Sequence, residues 1–216
     1  MRATLRLVVL TLLCTNATAL HYFAFGSNMH PAVLEGVRGI TPLSQTPGRI
    51  DGWRLGFTLR GGPAEPAFAS AEPDARRSLW GVAFELSALD GAKILATEGV
   101  PLAYVPVPVR VVVPAANTDF IQTDRPSARR APASETYLTA FTLVSAGPLR
   151  GQDRRPSERY LNLLREGARL SGLPRDWISY LDNLEPDPEA TGAASKATET
   201  WRAENQERME KLYSTP

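Results

Sequence analysis

The chain has 216 residues, of which 43% are hydrophobic and 22% are charged, a composition that predicts one globular domain with a buried core. Lys and Arg number 24 against 23 Asp and Glu, so the net charge of +1 gives no electrostatic reason to expect a nucleic-acid partner. Cys14 is the only cysteine, and the histidines are His21 and His30. Since nothing else in the sequence completes a ligand set, we expect no metal and no other cofactor.

The N-terminal segment has the pattern of an export signal. Residues 1–6 carry two arginines, residues 7–14 are apolar, and small residues lead up to Ala19, which predicts a signal peptide over 1–19. The apolar run is shorter than the roughly 20 residues that span a bilayer, so we expect no stable membrane anchor. The predicted location is outside the cell or in the secretory lumen. The alternative is a buried first strand or a misplaced start codon, with a cytoplasmic protein.

The first half of the chain is predicted to be rich in β-strands. Three segments alternate apolar with polar or small residues, a period of two that indicates strands: 20–25, 48–60 and 78–86. Residues 61–77 are rich in glycine and proline, and we predict that they are irregular. Residues 87–99 have helical character, with Ser87 as the candidate N-cap and Gly99 as the C-terminal stop.

Helices are predicted mainly in the last third. Strands are expected over 103–113 and 135–144, with an exposed loop or hairpin between them, and helices over 156–174 and 175–184. A linker and a C-terminal helix are predicted over 186–216. This order favours an α+β fold with a mixed or closed sheet over a dinucleotide-binding fold, and the glycine-rich phosphate loops of nucleotide-binding proteins do not occur in the sequence.

Few residues are candidates for chemistry. The first strand runs into the loop Gly26-Ser27-Asn28, and Glu98 lies between Thr97 and Gly99 at the end of a predicted helix. A turn of this composition is common, and most Glu side chains at helix ends are solvated, so a role in the scaffold is the alternative for both features. The same alternative applies to tyrosines at the ends of predicted elements, which are usually core residues with a solvated hydroxyl.

Five motifs together resemble one family. "YFAFGSNM", "WGVAFEL", "ATEGV", "TYLTAFTLV" and "PSERYLNLLREGARLSGLP" occur in this order, and they resemble the γ-glutamylcyclotransferase family over residues 20–185. The resemblance implies a catalytic domain over 20–185 with an AIG2-like α+β fold, in which a compact mixed β-barrel is flanked by helices. The segments 1–19 and 186–216 lie outside the resemblance.

The resemblance also implies a reaction. In this family the α-amino group of a γ-glutamyl compound attacks its own γ-carbonyl, which releases 5-oxoproline and the free amino acid or peptide. Nucleophile and electrophile are tethered, so no cofactor is needed, and the implied partner is a small-molecule γ-glutamyl substrate. A carboxylate must take a proton from the amine and return one to the leaving nitrogen, and Glu98 matches the family's acid/base.

The substrate-binding residues are carried over in the same way. The backbone of the glycine-containing loop is expected to hold the α-carboxylate or the developing oxyanion, and the segment 65–70 is expected near the pocket rim. Phe25 departs from the tyrosine that many relatives have before the glycine, so a hydrogen bond from that hydroxyl is lost. The implied substrate-binding residues are Tyr22, Phe25, Gly26, Ser27, Asn28, Met29, Tyr104, Tyr137 and Tyr160.

Three alternatives stay open at the level of sequence. The same chemistry could act on γ-glutamylamines, or on a glutathione-derived conjugate of the kind found in fungal secondary metabolism. A third hypothesis, from another class, is a catalytically inactive secreted binding protein on this fold. The sequence does not choose between a monomer and a homodimer.

Overall fold

A computed structural model describes residues 19–114 and 135–190, together with residues 199, 200, 203, 204 and 206. The predicted signal peptide up to residue 18, the predicted loop over 115–134 and most of the predicted tail lie outside the described residues. Within the described part of the chain, no helix is long and apolar enough to cross a membrane.

The described residues form five strands that close into a small barrel. In chain order these are β1 (Leu20–Ala24), β2 (Ser44–Arg60), β3 (Ala67–Leu86), β4 (Tyr104–Val113) and β5 (Thr136–Ser145). Around the barrel the order is β1-β3-β2-β4-β5. The barrel closes where β1 pairs parallel to β5 at Tyr22 and Phe141, whereas the other pairings are antiparallel. This mixed barrel confirms the predicted fold class.

The segment predicted to be irregular, residues 61–77, is mostly strand, and the prediction was wrong there. From Ala67 onward it pairs antiparallel with β2 in one long hairpin, and its alternate alanines are buried. Pro73 lies opposite Trp53 beside a bulge in β2, where a missing backbone N–H is tolerated. Residues 61–66 lie outside the strand, and residues 74–77 have no partner on β2, but elsewhere long-range pairing outweighs the local preference of proline and glycine for turns.

Three α-helices lie within the continuous described ranges: α1 (Ala88–Thr97), α2 (Glu158–Leu170) and α3 (Arg175–Asp182). The described residues 199, 200, 203, 204 and 206 are also helical. Ser87 and Ser157 cap the first two, because each serine oxygen accepts a hydrogen bond from the backbone N–H three residues later. Ser87 is therefore the N-cap that the sequence predicts. With α2 and α3 in the last third, the helices lie where the sequence expectation put most of them.

Helix α2 holds the loop that follows β1. A Cβ atom added to Gly167 would lie 2.9 Å from the backbone nitrogen of His30, so only glycine lets the helix approach this closely. The buried imidazole of His30 accepts from the backbone N–H of Ala32 at Nδ1 and contacts Glu166 through Nε2 at 3.0 Å. Since Nδ1 accepts, Nε2 carries the proton and donates to the Glu166 carboxylate.

Candidate active site

The stretch "YFAFGSNM" leaves the barrel as a tight turn. Strand β1 ends at Ala24, and Ser27–Met29 form one 3₁₀ turn in which Met29 N–H donates to the carbonyl of Gly26. The first N–H groups of such a turn have no partner within it, and the backbone N–H of Ser27 finds one outside it, in the hydroxyl of Tyr160. A plain connecting turn would satisfy the same hydrogen bonds, and the side chains around it therefore decide between the two interpretations.

Glu98 is held at the end of α1 by a glycine motif. Gly99 has φ +67, and its N–H donates to Ala96 O while the N–H of Val100 donates to Leu95 O. These two bonds define the helix C-terminal motif that requires a left-handed residue, as the sequence predicts for Gly99. Glu98 is thereby fixed as the C-cap residue, with its side chain on the side of the β1 loop.

Asn28 connects this carboxylate to the loop. Its Nδ2 donates to Glu98 Oε1 at 2.7 Å and to the hydroxyl of Tyr22 at 2.8 Å, while its Oδ1 accepts from Arg38 Nε at 2.6 Å. The amide orientation is set by this network, because only an oxygen can face the guanidinium and only the NH₂ can face the carboxylate. Asn28 is 4% exposed and has partners for both ends of its amide.

Arg38 completes the network with its charge. Its Nη2 donates to Glu98 Oε1, and both side chains are 13% exposed. Arg38 is placed by a π-helical turn, Ala32–Val37, whose last hydrogen bond joins Arg38 N–H to Val33 O. A carboxylate at a helix C-terminus faces the negative end of the helix dipole, and this guanidinium offsets that unfavourable interaction.

The two carboxylate oxygens of Glu98 differ in a way that matters for chemistry. The hydrogen bonds from Asn28 and Arg38 both fall on Oε1. No residue in the described ranges donates a hydrogen bond to Oε2. One oxygen therefore anchors the side chain, and the other is available to a proton donor in the cavity.

Tyr22 offers a hydroxyl beside this pair. Its oxygen accepts from Asn28, so its proton is left to donate elsewhere, and no described residue accepts it. Burial, together with the nearby charge of Glu98, raises the pKa of Tyr22 well above its ordinary value. The hydroxyl therefore stays protonated and acts as a donor at neutral pH.

Two further tyrosines brace β3 against the cavity. The hydroxyl of Tyr104 donates to Ala69 O at 2.6 Å, and the hydroxyl of Tyr160 accepts from Ala69 N at 3.1 Å. Burial raises the pKa of Tyr160 to about 12, and burial also raises the pKa of Tyr104. Both phenols are neutral at physiological pH, so these hydrogen bonds persist.

These side chains surround one cavity of about 480 Å³, which is within the range of small-molecule sites. Eight of the ten residues carried over from the resemblance line it: Tyr22, Phe25, Gly26, Ser27, Asn28, Glu98, Tyr104 and Tyr160. The side chains of Phe68 and Ala69 also line it, so the segment 65–70 does reach the cavity. Among the described residues, no group of three His, Cys, Asp or Glu side chains could hold a metal ion.

The structure does not bring the other two residues to the cavity. Met29 is 1% exposed in the core, packed where α2 meets the loop. Tyr137 is 49% exposed near the start of β5, where its ring lies 3.7 Å from the guanidinium carbon of Arg110 and its hydroxyl donates to Glu135. The "TYLTAFTLV" strand enters the core only from Ala140 onward, so a side chain at position 137 lies outside.

The sequence reasoning missed two arginines of the cavity. Arg38 lies ten residues after Asn28 in a segment without a motif, and Arg159 lies inside the "PSERY" motif, directly before Tyr160. Arg159 could have been predicted from its position in the sequence, because it directly precedes Tyr160, which is expected in the pocket. For Arg38 no sequence signal exists, since the π-helical turn that places it is not predicted by the local pattern.

Comparisons with known proteins find a similar family, similar sequences and similar folds. Residues 78–181 match the model of the AIG2-like family. The chain is 30% identical over 179 residues to the γ-glutamyl cyclotransferase aclK of Aspergillus oryzae, and 30% identical over 181 residues to the γ-glutamyl cyclotransferase gliK of Aspergillus fumigatus. Each match covers 76% of this chain and 61% of the relative, so the chain spans less than two thirds of their length.

Solved structures share the fold. A γ-glutamyl cyclotransferase superposes with a TM-score of 0.65 at 20% identity, covering 86% of this chain and 99% of that chain. YkqA from Bacillus subtilis superposes with a TM-score of 0.58 at 20% identity, covering 80% of this chain and 57% of that one. Over residues 78–181 the chain is similar to the AIG2-like family, and its 30% identity to two γ-glutamyl cyclotransferases and its shared fold support the resemblance seen in its motifs.

Proposed function

We propose that this protein is a γ-glutamyl cyclotransferase that converts γ-glutamyl amino acids or peptides into 5-oxoproline and the free amine. One observation carries the proposal: Glu98 is anchored through a single oxygen, and its other oxygen has no partner among the described residues in a cavity of about 480 Å³. A carboxylate held in this way can exchange a proton with a bound ligand without moving.

The first step prepares the nucleophile. An α-amino group is protonated in neutral water and cannot attack a carbonyl until it loses a proton. Glu98 Oε2 takes that proton, while Asn28 and Arg38 keep the carboxylate in place through Oε1. The loop at Ser27 receives the substrate's α-carboxylate, which orients the amine toward Glu98.

The second step forms the ring. The free amine attacks the γ-carbonyl carbon, a new C–N bond closes the five-membered ring, and the carbonyl oxygen becomes an oxyanion. Since the reacting groups belong to one molecule, the site has only to fold the substrate into the reactive conformation. The Tyr22 hydroxyl, which has a proton to donate, stabilises the developing oxyanion.

The third step expels the leaving group. Glu98 returns its proton to the nitrogen of the former amide, the bond from that nitrogen to the γ-carbon breaks, and the carbonyl re-forms. The ring nitrogen, which still carries two hydrogens after the attack, gives one of them to the released amine, so the products are a neutral lactam nitrogen in 5-oxoproline and an ammonium on the leaving amine. Both protons lost by the attacking amine end on the leaving amine, so no water is consumed and no cofactor is required. Glu98 returns to the state in which it began.

The test is release of 5-oxoproline from γ-glutamyl-alanine, γ-glutamyl peptides, γ-glutamylamines and glutathione conjugates, supplied side by side to the full chain. The Glu98→Gln variant keeps the size of the side chain but cannot accept the proton, and we expect it to lose at least about 100-fold in kcat. Glu35→Gln is the matched control, because Glu35 is exposed and does not line the cavity.

The outcomes are distinct. Release by the wild type and by Glu35→Gln, with loss in a folded Glu98→Gln variant, supports the proposal. Equal release by the wild type and Glu98→Gln contradicts the role of Glu98. If a folded wild-type protein releases nothing from any of these compounds, the cyclotransferase is wrong, and the binding-protein alternative takes its place.

A further inference from the structure

A second arginine lies at the cavity and is held by a different carboxylate. Arg159, in the first turn of α2, lines the cavity, and its side chain is 28% exposed. Its Nε contacts Glu65 Oε1 at 2.5 Å, and Ser157 donates to the other oxygen of Glu65. The Glu65 side chain is 8% exposed, so the guanidinium is tied to a buried anchor instead of moving freely in solvent.

The terminal nitrogens of Arg159 have no part in this anchoring. The contact with Glu65 uses Nε alone, and no residue in the described ranges accepts a hydrogen bond from Nη1 or Nη2. Two parallel N–H donors of one guanidinium fit the two oxygens of a carboxylate. Arg38 differs in this respect, because its Nε and Nη2 are both used inside the catalytic network.

Helix α2 places Arg159 next to the reaction site without making it part of that site. Arg159, Tyr160 and Leu163 all line the cavity. The Tyr160 hydroxyl lies 3.2 Å from where a Cβ of Gly26 would be, which puts it against the loop. The ring of Phe68 packs edge-on against Tyr160 at 5.3 Å, so the wall beside Arg159 is apolar.

The anchored guanidinium of Arg159 and the apolar wall beside it indicate which kind of leaving amine fits this part of the cavity. The γ-glutamyl half is held at the loop and Glu98, and the leaving amine must occupy the rest of the cavity. An apolar wall with one anchored cation suits an amine that carries both an apolar side chain and a carboxylate, which is an α-amino acid or the end of a peptide. A simple amine offers nothing to the guanidinium.

We propose that Arg159 binds the carboxylate of the leaving amino acid or peptide, so that γ-glutamyl amino acids are preferred to γ-glutamylamines. This inference rests on the proposed cyclotransferase function and names its substrate class. A charge-assisted, bidentate hydrogen bond of this kind gives roughly a 10- to 100-fold preference in kcat/KM.

The test uses two substrates that differ only in that carboxylate, γ-glutamyl-L-alanine and γ-glutamylethylamide. The wild-type full chain is expected to favour γ-glutamyl-L-alanine by roughly 10- to 100-fold in kcat/KM. Arg159→Met should lose most of this preference by slowing γ-glutamyl-L-alanine, with γ-glutamylethylamide little changed. Arg159→Lys keeps the charge but not the paired donors, and an intermediate preference is expected.

Arg155→Met is the matched control. Arg155 precedes the same helix, its side chain is 58% exposed, it pairs with Glu185, and it does not line the cavity. The control should keep the wild-type preference. Thermal unfolding of each variant shows whether the loss of a partner for Glu65 has affected folding.

The possible outcomes distinguish failure of the proposed Arg159 site from failure of the proposed cyclotransferase function. If the wild type releases 5-oxoproline equally fast from both substrates, the carboxylate site is wrong while the cyclotransferase stands, and this result needs no variant. If Arg159→Met slows both substrates equally, Arg159 is structural and the inference is overturned. If the wild type acts on neither substrate, the proposed function fails, and this inference fails with it.

Discussion

Two carboxylate–guanidinium pairs in this molecule, Glu72 with Arg150 and Glu98 with Arg38, differ in how many carboxylate oxygens accept hydrogen bonds. Glu72, on β3, is 4% exposed and accepts hydrogen bonds on both oxygens, from Thr58 and Arg150 on Oε1 and from Arg150 on Oε2. Burial raises the pKa of Glu72, but the hydrogen bonds from Arg150 and Thr58 outweigh it and lower the pKa overall. Glu98 has contacts on Oε1 alone and lines the cavity.

This difference shows how a carboxylate that can act on a ligand is distinguished from one that only stabilises the fold. A buried carboxylate with every oxygen occupied has no capacity left for a ligand, and its removal leaves an unpaired guanidinium. A carboxylate with one anchored and one unpartnered oxygen is fixed in position and still able to exchange a proton. An ion pair beside a cavity is therefore informative only when its unused atoms are counted.

The largest effect that would test this comparison is on stability. Glu72→Gln removes the charge opposite Arg150, and we expect the free energy of unfolding to fall by about 2 kcal/mol, since the buried carboxylate loses its charge-assisted hydrogen bonds while the 42% exposed guanidinium stays hydrated. Denaturant unfolding measures it. The rate of 5-oxoproline release per folded molecule should stay near that of the wild type. A stable Glu72→Gln protein with a lost rate would reverse the roles of the two pairs.

A smaller effect is expected on catalysis when Glu98 keeps its charge but loses its hydrogen bond from Arg38. Arg38→Gln removes the guanidinium that contacts Glu98 and Asn28, and kcat should fall roughly 10- to 100-fold, with less change in KM, because the carboxylate is no longer held in position. Arg38→Lys restores one contact and should recover part of kcat. A change in KM alone would mean that Arg38 binds substrate and does not position Glu98.

The smallest expected effect is on stability and concerns Tyr160; it is absent at neutral pH and appears only at alkaline pH. Burial raises the pKa of Tyr160 to about 12, above the ordinary value near 10 that it has in the unfolded chain. A raised native pKa stabilises the fold fully below about pH 10, and this contribution is lost as the pH rises through about 12. Denaturant unfolding from about pH 8 to about pH 11 should show constant stability, then a decline.

Tyr160→Phe should make that alkaline decline shallower, since phenylalanine has no proton to lose. Tyr137→Phe is the control, because Tyr137 is 49% exposed and outside the cavity, and its decline should match the wild type. Equal slopes in all three proteins would contradict the assignment of Tyr160 as a buried, protonated phenol.

The sequence predicted the parts of the fold that depend on local pattern and on recognised motifs. The cap at Ser87 and the stop at Gly99 follow from side-chain and backbone chemistry within one helix, so the position of Glu98 at the helix end could be predicted. Residues 67–73 could not be predicted as strand, since their pairing with β2 is a long-range contact that local glycine and proline content opposes.

The dependence on long-range contacts also explains which residues of the candidate site could not be predicted from the sequence. Asn28 and Glu98 are 70 residues apart, and only the motifs suggested that they act together. Arg38 was missed because its position depends on a π-helical turn, and Arg159 because its role appears only when Glu65, 94 residues away, is seen to hold it. Tyr137 lies inside a motif, yet the strand brings its side chain to the surface.

The catalytic role of Glu98 is tested most directly by one measurement, the rate at which the wild type and Glu98→Gln release 5-oxoproline from γ-glutamyl-L-alanine, with folding of both confirmed. We predict that 5-oxoproline and alanine appear in equal amounts with the wild type, and that Glu98→Gln is slower by at least about 100-fold. Equal rates for the two proteins, or no release by the folded wild type, would contradict it.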